Sequence, residues 1–120
     1  MKRKNGMIWL EMISVRTAGI IEAGKVFEIC RQMFQCIADE KLLKLSVFSN
    51  ARYATDISIH LQWKSKSGSE SILGREMSSA LGDLGLVSHT LWIEQEELID
   101  HCGATLEMSS SKTARKMKKP

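Results

Sequence analysis

Asp56-Ile-Ser-Ile-His-Leu-Gln-Trp63 is the stretch whose reading decides the fold. Ile57, Ile59, Leu61 and Trp63 alternate with Ser58, His60 and Gln62. That is the period of a β-strand with one apolar and one polar face. A polar turn, Lys64 to Ser69, follows it, and then a helical pattern begins. Upstream, Leu43 to Ser49 reads as a strand, with Leu43, Leu45 and Val47 set against Lys44 and Ser46. Only six residues separate the two, with Asn50-Ala-Arg-Tyr53 as the turn, and asparagine accepts turn conformations, so an antiparallel hairpin is expected.

Further upstream, Gly24 to Glu40 reads as a helix. Val26, Ile29, Cys30, Met33, Phe34 and Ile37 recur at helical spacing and form its apolar stripe. Ala18 to Ala23 reads as a connection. Met7 to Thr17 is the first strand, with Ile8, Leu10 and Met12 on one face. Met7, Trp9, Ile13 and Val15 lie on the other, interrupted by Glu11. Apolar residues on both faces suit a central strand covered on each side. Downstream, Ser69 to Leu84 is the second helix, capped by Ser69 and striped by Leu73, Met77, Ala80, Leu81 and Leu84. Gly85 is its stop. Leu86 to Ile93 is the last strand, with Val87, His89, Leu91 and Ile93 on one face.

The order is β-α-β-β-α-β. Two right-handed crossovers joined by a hairpin give an α+β, ferredoxin-like fold: a four-stranded antiparallel sheet with both helices on one face. The second face of the sheet then needs a cover. Phe48 or Ser46, His60, Trp92, and Trp9 or Ile13 are the residues expected there, and the cover expected is a second copy of the same sheet, making a homodimer.

Length allows one domain with tails: a basic tail over 1–6, a domain over 7–100, and a polar, basic, disordered tail over 101–120. The net charge of +3 hides an uneven distribution. Lys2, Arg3, Lys4, Lys112, Arg115, Lys116, Lys118 and Lys119 hold eight of the 17 basic residues. Glu107 is the one acid of the tails, so within 7–100 nine bases face 13 acids and the body is acidic by about four charges. An acidic body with basic ends argues against nucleic-acid binding. No apolar run reaches the roughly 18 residues of a membrane span, and three cysteines are too few for a disulfide framework. A cytoplasmic protein with reduced thiols is expected.

Three segments resemble the antibiotic biosynthesis monooxygenase family, whose members are dimeric α/β barrels. They are Ser14-Val-Arg-Thr-Ala18, Val26-Phe-Glu-Ile29 and Ile59-His-Leu-Gln-Trp63-Lys-Ser65. The resemblance spans roughly Met7 to Ile93, and the order of elements carries more of it than any single residue. There are departures. The acid that the family places two residues before the tryptophan is Leu61 here. The family's Pro-Gly-Cys before the second strand is replaced by Glu40-Lys-Leu-Leu43. The second helix has no histidine between Leu73 and Glu76. Of the Asn, Trp and His set of the family's haem-degrading members, only Trp63 has a counterpart, so haem degradation is not expected.

The resemblance implies a cofactor-independent monooxygenase acting with O₂ on a small aromatic or quinol-type substrate, with no bound cofactor or metal. Trp63 would stack on the substrate ring, His89 would take a proton, and Met33 and Met77 would wall the pocket. A plainer reading stands beside each role. Trp63 suits a core tryptophan, His89 a hydrogen-bonded core histidine, and the methionines simple core. His60 reads as part of a hydrogen-bond network with Ser58 and Gln62. His101-Cys102 is the nearest approach to a ligand pair and is not zinc-like spacing. The alternative function is a small-ligand-binding or assembly module on the same fold, without catalysis.

Overall fold

The computed structural model describes residues 6–66, 68 and 70–99. The expected tails, apart from Gly6, lie outside the described residues, as do Ser69, His101 and Cys102. The elements run β1 (Met7–Thr17), α1 (Ile20–Gln35), β2 (Leu42–Ser49), β3 (Asp56–Ser65), α2 (Ile72–Leu81) and β4 (Gly85–Ile93). The sheet order is β2-β3-β1-β4, antiparallel throughout. This is the ferredoxin-like arrangement that the alternation of Asp56 to Trp63 implies.

Register places Trp9 opposite Trp63, Ile13 opposite Ile59 and Val15 opposite Ile57. These residues, with Leu61, form the floor on which the helices pack. Ala23, Val26 and Cys30 of α1 and Met77 and Leu81 of α2 complete the buried core. Burying each large aliphatic side chain contributes roughly 1.5–3 kcal/mol. Trp9 and Ile13, two of the alternatives for the second face of the sheet, therefore belong to the helix side. The face left without helices carries Leu10, Met12, Phe48, His60, Leu86 and Trp92, and half or more of the surface of Phe48, Leu86 and Trp92 is exposed.

Several boundaries differ from the sequence reading. α1 starts at Ile20, because Gly19 in extended backbone begins the first turn and its carbonyl accepts from Ala23 N–H at 2.9 Å. Ile20 and Ile21 are exposed, so their apolar character gave no inward periodicity. The inward stripe is Ala23, Val26 and Cys30, with Ile29 and Met33 packed beside it, while Phe34 is exposed, and α1 ends at Gln35, which puts Ile37 beyond the helix. In β2, Leu43 is the extra residue of a bulge between Leu42 and Lys44, so Leu42 takes the inward position and Leu43 is exposed. The N-cap of α2 is Ser71, whose Oγ accepts from Gly74 N–H. Finally, α2 ends at Leu81 with Gly82 as its C-cap, and Gly85 opens β4 opposite Thr17.

Candidate functional site

A single carboxylate organises the space between the sheet and α2. Glu11 sits on the inner face of β1 between Trp9 and Ile13, and it is fully buried. Its direct cross-strand partners are Leu61 and Leu91, so its diagonal neighbours on the same face are Trp63 on β3 and His89 on β4. Both reach it. Trp63 Nε1–H donates to Glu11 Oε1 at 3.0 Å, and His89 Nε2 lies 2.6 Å from Oε2. From above, Ser71 adds two more donors: its Oγ–H to Oε1 at 2.6 Å and its N–H to Oε2 at 3.1 Å.

Sequence chemistry explains this assembly. A buried carboxylate must be paired or heavily hydrogen-bonded to persist. The N-terminus of α2 offers unsatisfied N–H groups and the positive end of the helix dipole. Ser71 serves both partners, accepting from Gly74 N–H at 2.8 Å while donating to Glu11. Gly74 is the residue that permits the approach, since a Cβ there would overlap the Glu11 carboxylate. The indoles of Trp9 and Trp63 stack with centroids 5.8 Å apart, and Trp9 Nε1–H is held by Ser65 Oγ at 2.8 Å. This fixes the orientation of Trp63.

The other ring nitrogen of His89, Nδ1, lies 3.4 Å from Glu70 Oε2. The His89 side chain is 11% exposed and that of Glu70 46%, so the chain of contacts from Glu11 ends at the solvent. His89 thus has the acid partner that no local pattern in the sequence announces.

A cavity of about 430 Å³ opens between the C-terminal end of α1 and the N-terminal end of α2. Met33, Trp63, Ile72 and Leu73 give it apolar wall, while Ser71, Asp39 and Glu76 give it polar groups. The structure brings Trp63 and Met33 together here. His89 and Met77 are not among the lining residues, and Met77 lies wholly inside the core. Trp63, at 4% exposure, is at once a core residue and a cavity wall.

A second hollow, about 560 Å³, lies on the helix-free face between Phe48, Asp56, His60 and Leu86. His60 accepts or donates with Ser58 Oγ at 2.8 Å and packs its ring 4.7 Å from that of Phe48. Burial lowers its pKa from the usual 6.5. Its neutral form is favoured in the fold. That contribution is complete above pH 6.5 and is lost as pH falls toward the lowered value. Among the described residues, no three His, Cys, Asp or Glu side chains converge as metal ligands. No helix among them is long and apolar enough to cross a membrane.

No protein family matches the sequence, and no curated protein does. Solved structures do match. SnoaB, a cofactor-independent oxygenase from Streptomyces nogalater, superposes with a TM-score of 0.56 at 12% identity, over 78% of this chain and 99% of that one. A protein from Bordetella bronchiseptica, provisionally described as an antibiotic biosynthesis monooxygenase, gives 0.54 at 12%, over 77% and 99%. The chain has the antibiotic biosynthesis monooxygenase-like fold. A conserved protein from Methanosarcina mazei shares it, at a TM-score of 0.57 and 11% identity over 76% of this chain and 94% of that one. Identities this low carry the fold alone.

Glu11 and Ser71 are the site residues that the sequence motifs did not mark. The available signal was Glu11 itself, an acid on the inward row of an otherwise apolar strand.

Proposed function

We propose that this chain is a cofactor-independent monooxygenase-like protein that binds a small aromatic or quinol-type molecule in the cavity beside Trp63. One observation carries this reading: an apolar cavity walled by Trp63 and Met33 abuts a buried carboxylate–histidine pair through Ser71. Pockets that bind small molecules combine apolar walls with a few convergent polar groups. The indole of Trp63, held by Trp9 and Glu11, is a rigid stacking surface. His89 takes part in proton transfer from behind Glu11, and Met77 packs beneath the site. The reaction balances without a bound cofactor: an activated ring methylene and O₂ give a ring carbonyl and water, and the substrate supplies the electrons.

A second reading, ligand binding without turnover, is favoured by the absence of both Glu11 and His89 from the cavity wall. One experiment separates the two. Cys36 lines the cavity and is exposed, whereas Cys30 is buried and its thiol is pushed up to about 11 by that burial, opposed by Arg31. Iodoacetamide should therefore label Cys36 at least tenfold faster than Cys30, since the thiolate is the reactive form. Anthrone, a planar ring system with an acidic methylene, should slow Cys36 labelling and should be converted to anthraquinone in air. Protection without anthraquinone supports the binding module. Unchanged labelling of Cys36 at saturating anthrone removes the cavity assignment.

The partner expected from the sequence is a second copy. Leu10, Met12, Phe48, Leu86 and Trp92 share the helix-free face, and a contiguous apolar surface of that kind calls for a cover. A self-complementary C2 pairing through this face buries His60 and the 560 Å³ hollow together. Sedimentation at micromolar concentration should show a dimer, and Trp92→Glu should give a monomer. A wild-type monomer at that concentration rules the pairing out. Free Cys30 and Cys36 fit the reducing, cytoplasmic setting proposed for it.

A further inference from the structure

We propose that Ser71, Glu11 and His89 form a proton relay that joins the cavity wall to the solvent-facing Glu70. The proposal rests on the cavity assignment above and adds what that assignment lacks, a route for the proton.

Three hydrogen bonds are donated to Glu11 by residues that also line the cavity, one from Trp63 and two from Ser71. An indole N–H donates and cannot accept, so it orients the carboxylate but cannot pass a proton to it. A hydroxyl does both. Ser71 Oγ donates to Glu11 Oε1 at 2.6 Å while standing at the cavity wall. On the far side, Glu11 Oε2 meets His89 Nε2 at 2.6 Å, and His89 Nδ1 meets Glu70 Oε2 at 3.4 Å. Each group in this chain exchanges protons, and each contact lies within or close to hydrogen-bond range.

The step is a proton transfer with no change in oxidation state. The substrate's methylene proton passes to Ser71 Oγ as the serine's own proton passes to Glu11 Oε1. The substrate is left as a resonance-stabilised carbanion, and Glu11 becomes the neutral acid. The proton returns along the same path, or it crosses to His89 Nε2 as the Nδ1 proton of His89 passes to Glu70 Oε2, which leaves the imidazole neutral in its other tautomer. Ser71 is the group that touches substrate. Glu11 and His89 act through it, which explains how His89 can serve the reaction from outside the cavity. A helix cap alone needs only the Ser71 hydroxyl as an acceptor for Gly74 N–H. Its second bond, to a wholly buried carboxylate, is unnecessary for capping.

The test separates proton transfer from oxygenation. In D₂O without oxygen, the wild-type protein should speed exchange of the anthrone methylene protons, followed by proton NMR. Glu11→Gln keeps the shape of the side chain and removes the proton store. It should lower that exchange about a hundredfold, within the range of a lost general base, while leaving anthrone affinity within about twofold by the Cys36 protection assay. Ser71→Ala should fall as far, and Ser71→Thr, which restores a hydroxyl, should recover at least about a tenth of the wild-type rate. Exchange at the wild-type rate in folded Glu11→Gln overturns the relay. If Glu11→Gln does not fold, Ser71→Ala decides, and wild-type exchange in it overturns the relay equally. No exchange by the wild type also overturns it. Exchange without anthraquinone formation in air supports the relay and removes the oxygenase reading. Anthraquinone formed by Glu11→Gln at the wild-type rate does the reverse.

Discussion

Glu11→Ala should lower the free energy of unfolding by about 3–5 kcal/mol, the range for removing one partner of a buried charged network. Three effects add. The substitution leaves Trp63 Nε1–H, Ser71 N–H and Ser71 Oγ–H without their acceptor, and His89 Nε2 without its partner, in a buried site. Unmade bonds there cost about 1–3 kcal/mol each where water cannot enter. The missing carboxyl leaves a cavity, and α2 loses the anion at its positive end. Water reaching the space from the neighbouring 430 Å³ cavity offsets part of this, which is why the total falls well short of the sum. For a domain of this size each kcal/mol moves the Tm by several degrees, so a fall of at least about 10 °C is expected. Glu11→Gln, which retains an acceptor oxygen, should lose less than half as much. Urea unfolding that places Glu11→Ala within 1 kcal/mol of the wild type would show that the network contributes little to the fold.

The same residue marks where sequence reading succeeds and where it stops. Strand alternation is a local property, so Ile57, Ile59, Leu61 and Trp63 reveal their common face without any knowledge of what covers it. The order of six elements then leaves few topologies, and the sheet β2-β3-β1-β4 is the one adopted. Helix ends were less legible, because the signals that set them are single hydrogen bonds. Ser71 rather than Ser69 caps α2, for its hydroxyl is held between Gly74 N–H and a carboxylate sixty residues away. No pattern within the helix contains that information.

Site residues divide along the same line. Trp63 was visible because it closes an alternating row, and Met33 because it lies on the stripe of α1. The pairing of His89 with Glu11 depends on the register of β4 against β1, which puts Glu11 opposite Leu91 and diagonal to His89. Register is set by the whole sheet and not by either strand. An acid amid Trp9, Ile13 and Val15 breaks the rule that inward rows are apolar, and such breaks concentrate where a fold carries function. Met77 shows the opposite case. Helical spacing cannot tell a cavity wall from the core beneath it, and Met77 is core.

Gly74→Ala should destabilise the protein by about 2–3 kcal/mol, although alanine is the better helix former. Inside a helix the exchange ordinarily stabilises by up to about 1 kcal/mol. That gain is expected at Gly24 in α1, where a Cβ meets nothing within 4 Å, so Gly24→Ala is the internal control. At Gly74 the Cβ would instead enter the Glu11 carboxylate. The carboxylate cannot retreat into the sheet, because Leu61 and Ile13 close the floor on either side and both are fully buried. Either α2 lifts away or the carboxylate abandons Ser71, and overpacking of this kind costs about 1–3 kcal/mol beyond the lost hydrogen bonds. The contact predicts its own coupling. In a Glu11→Ala background the Cβ has room, so Gly74→Ala should there cost nothing or stabilise, and the two substitutions should differ from additivity by at least about 2 kcal/mol, within the span seen for residues in contact. Additive effects in that double-mutant cycle would mean that the first turn of α2 does not rest on Glu11. The placement of Ser71 between carboxylate and cavity would then fail with it.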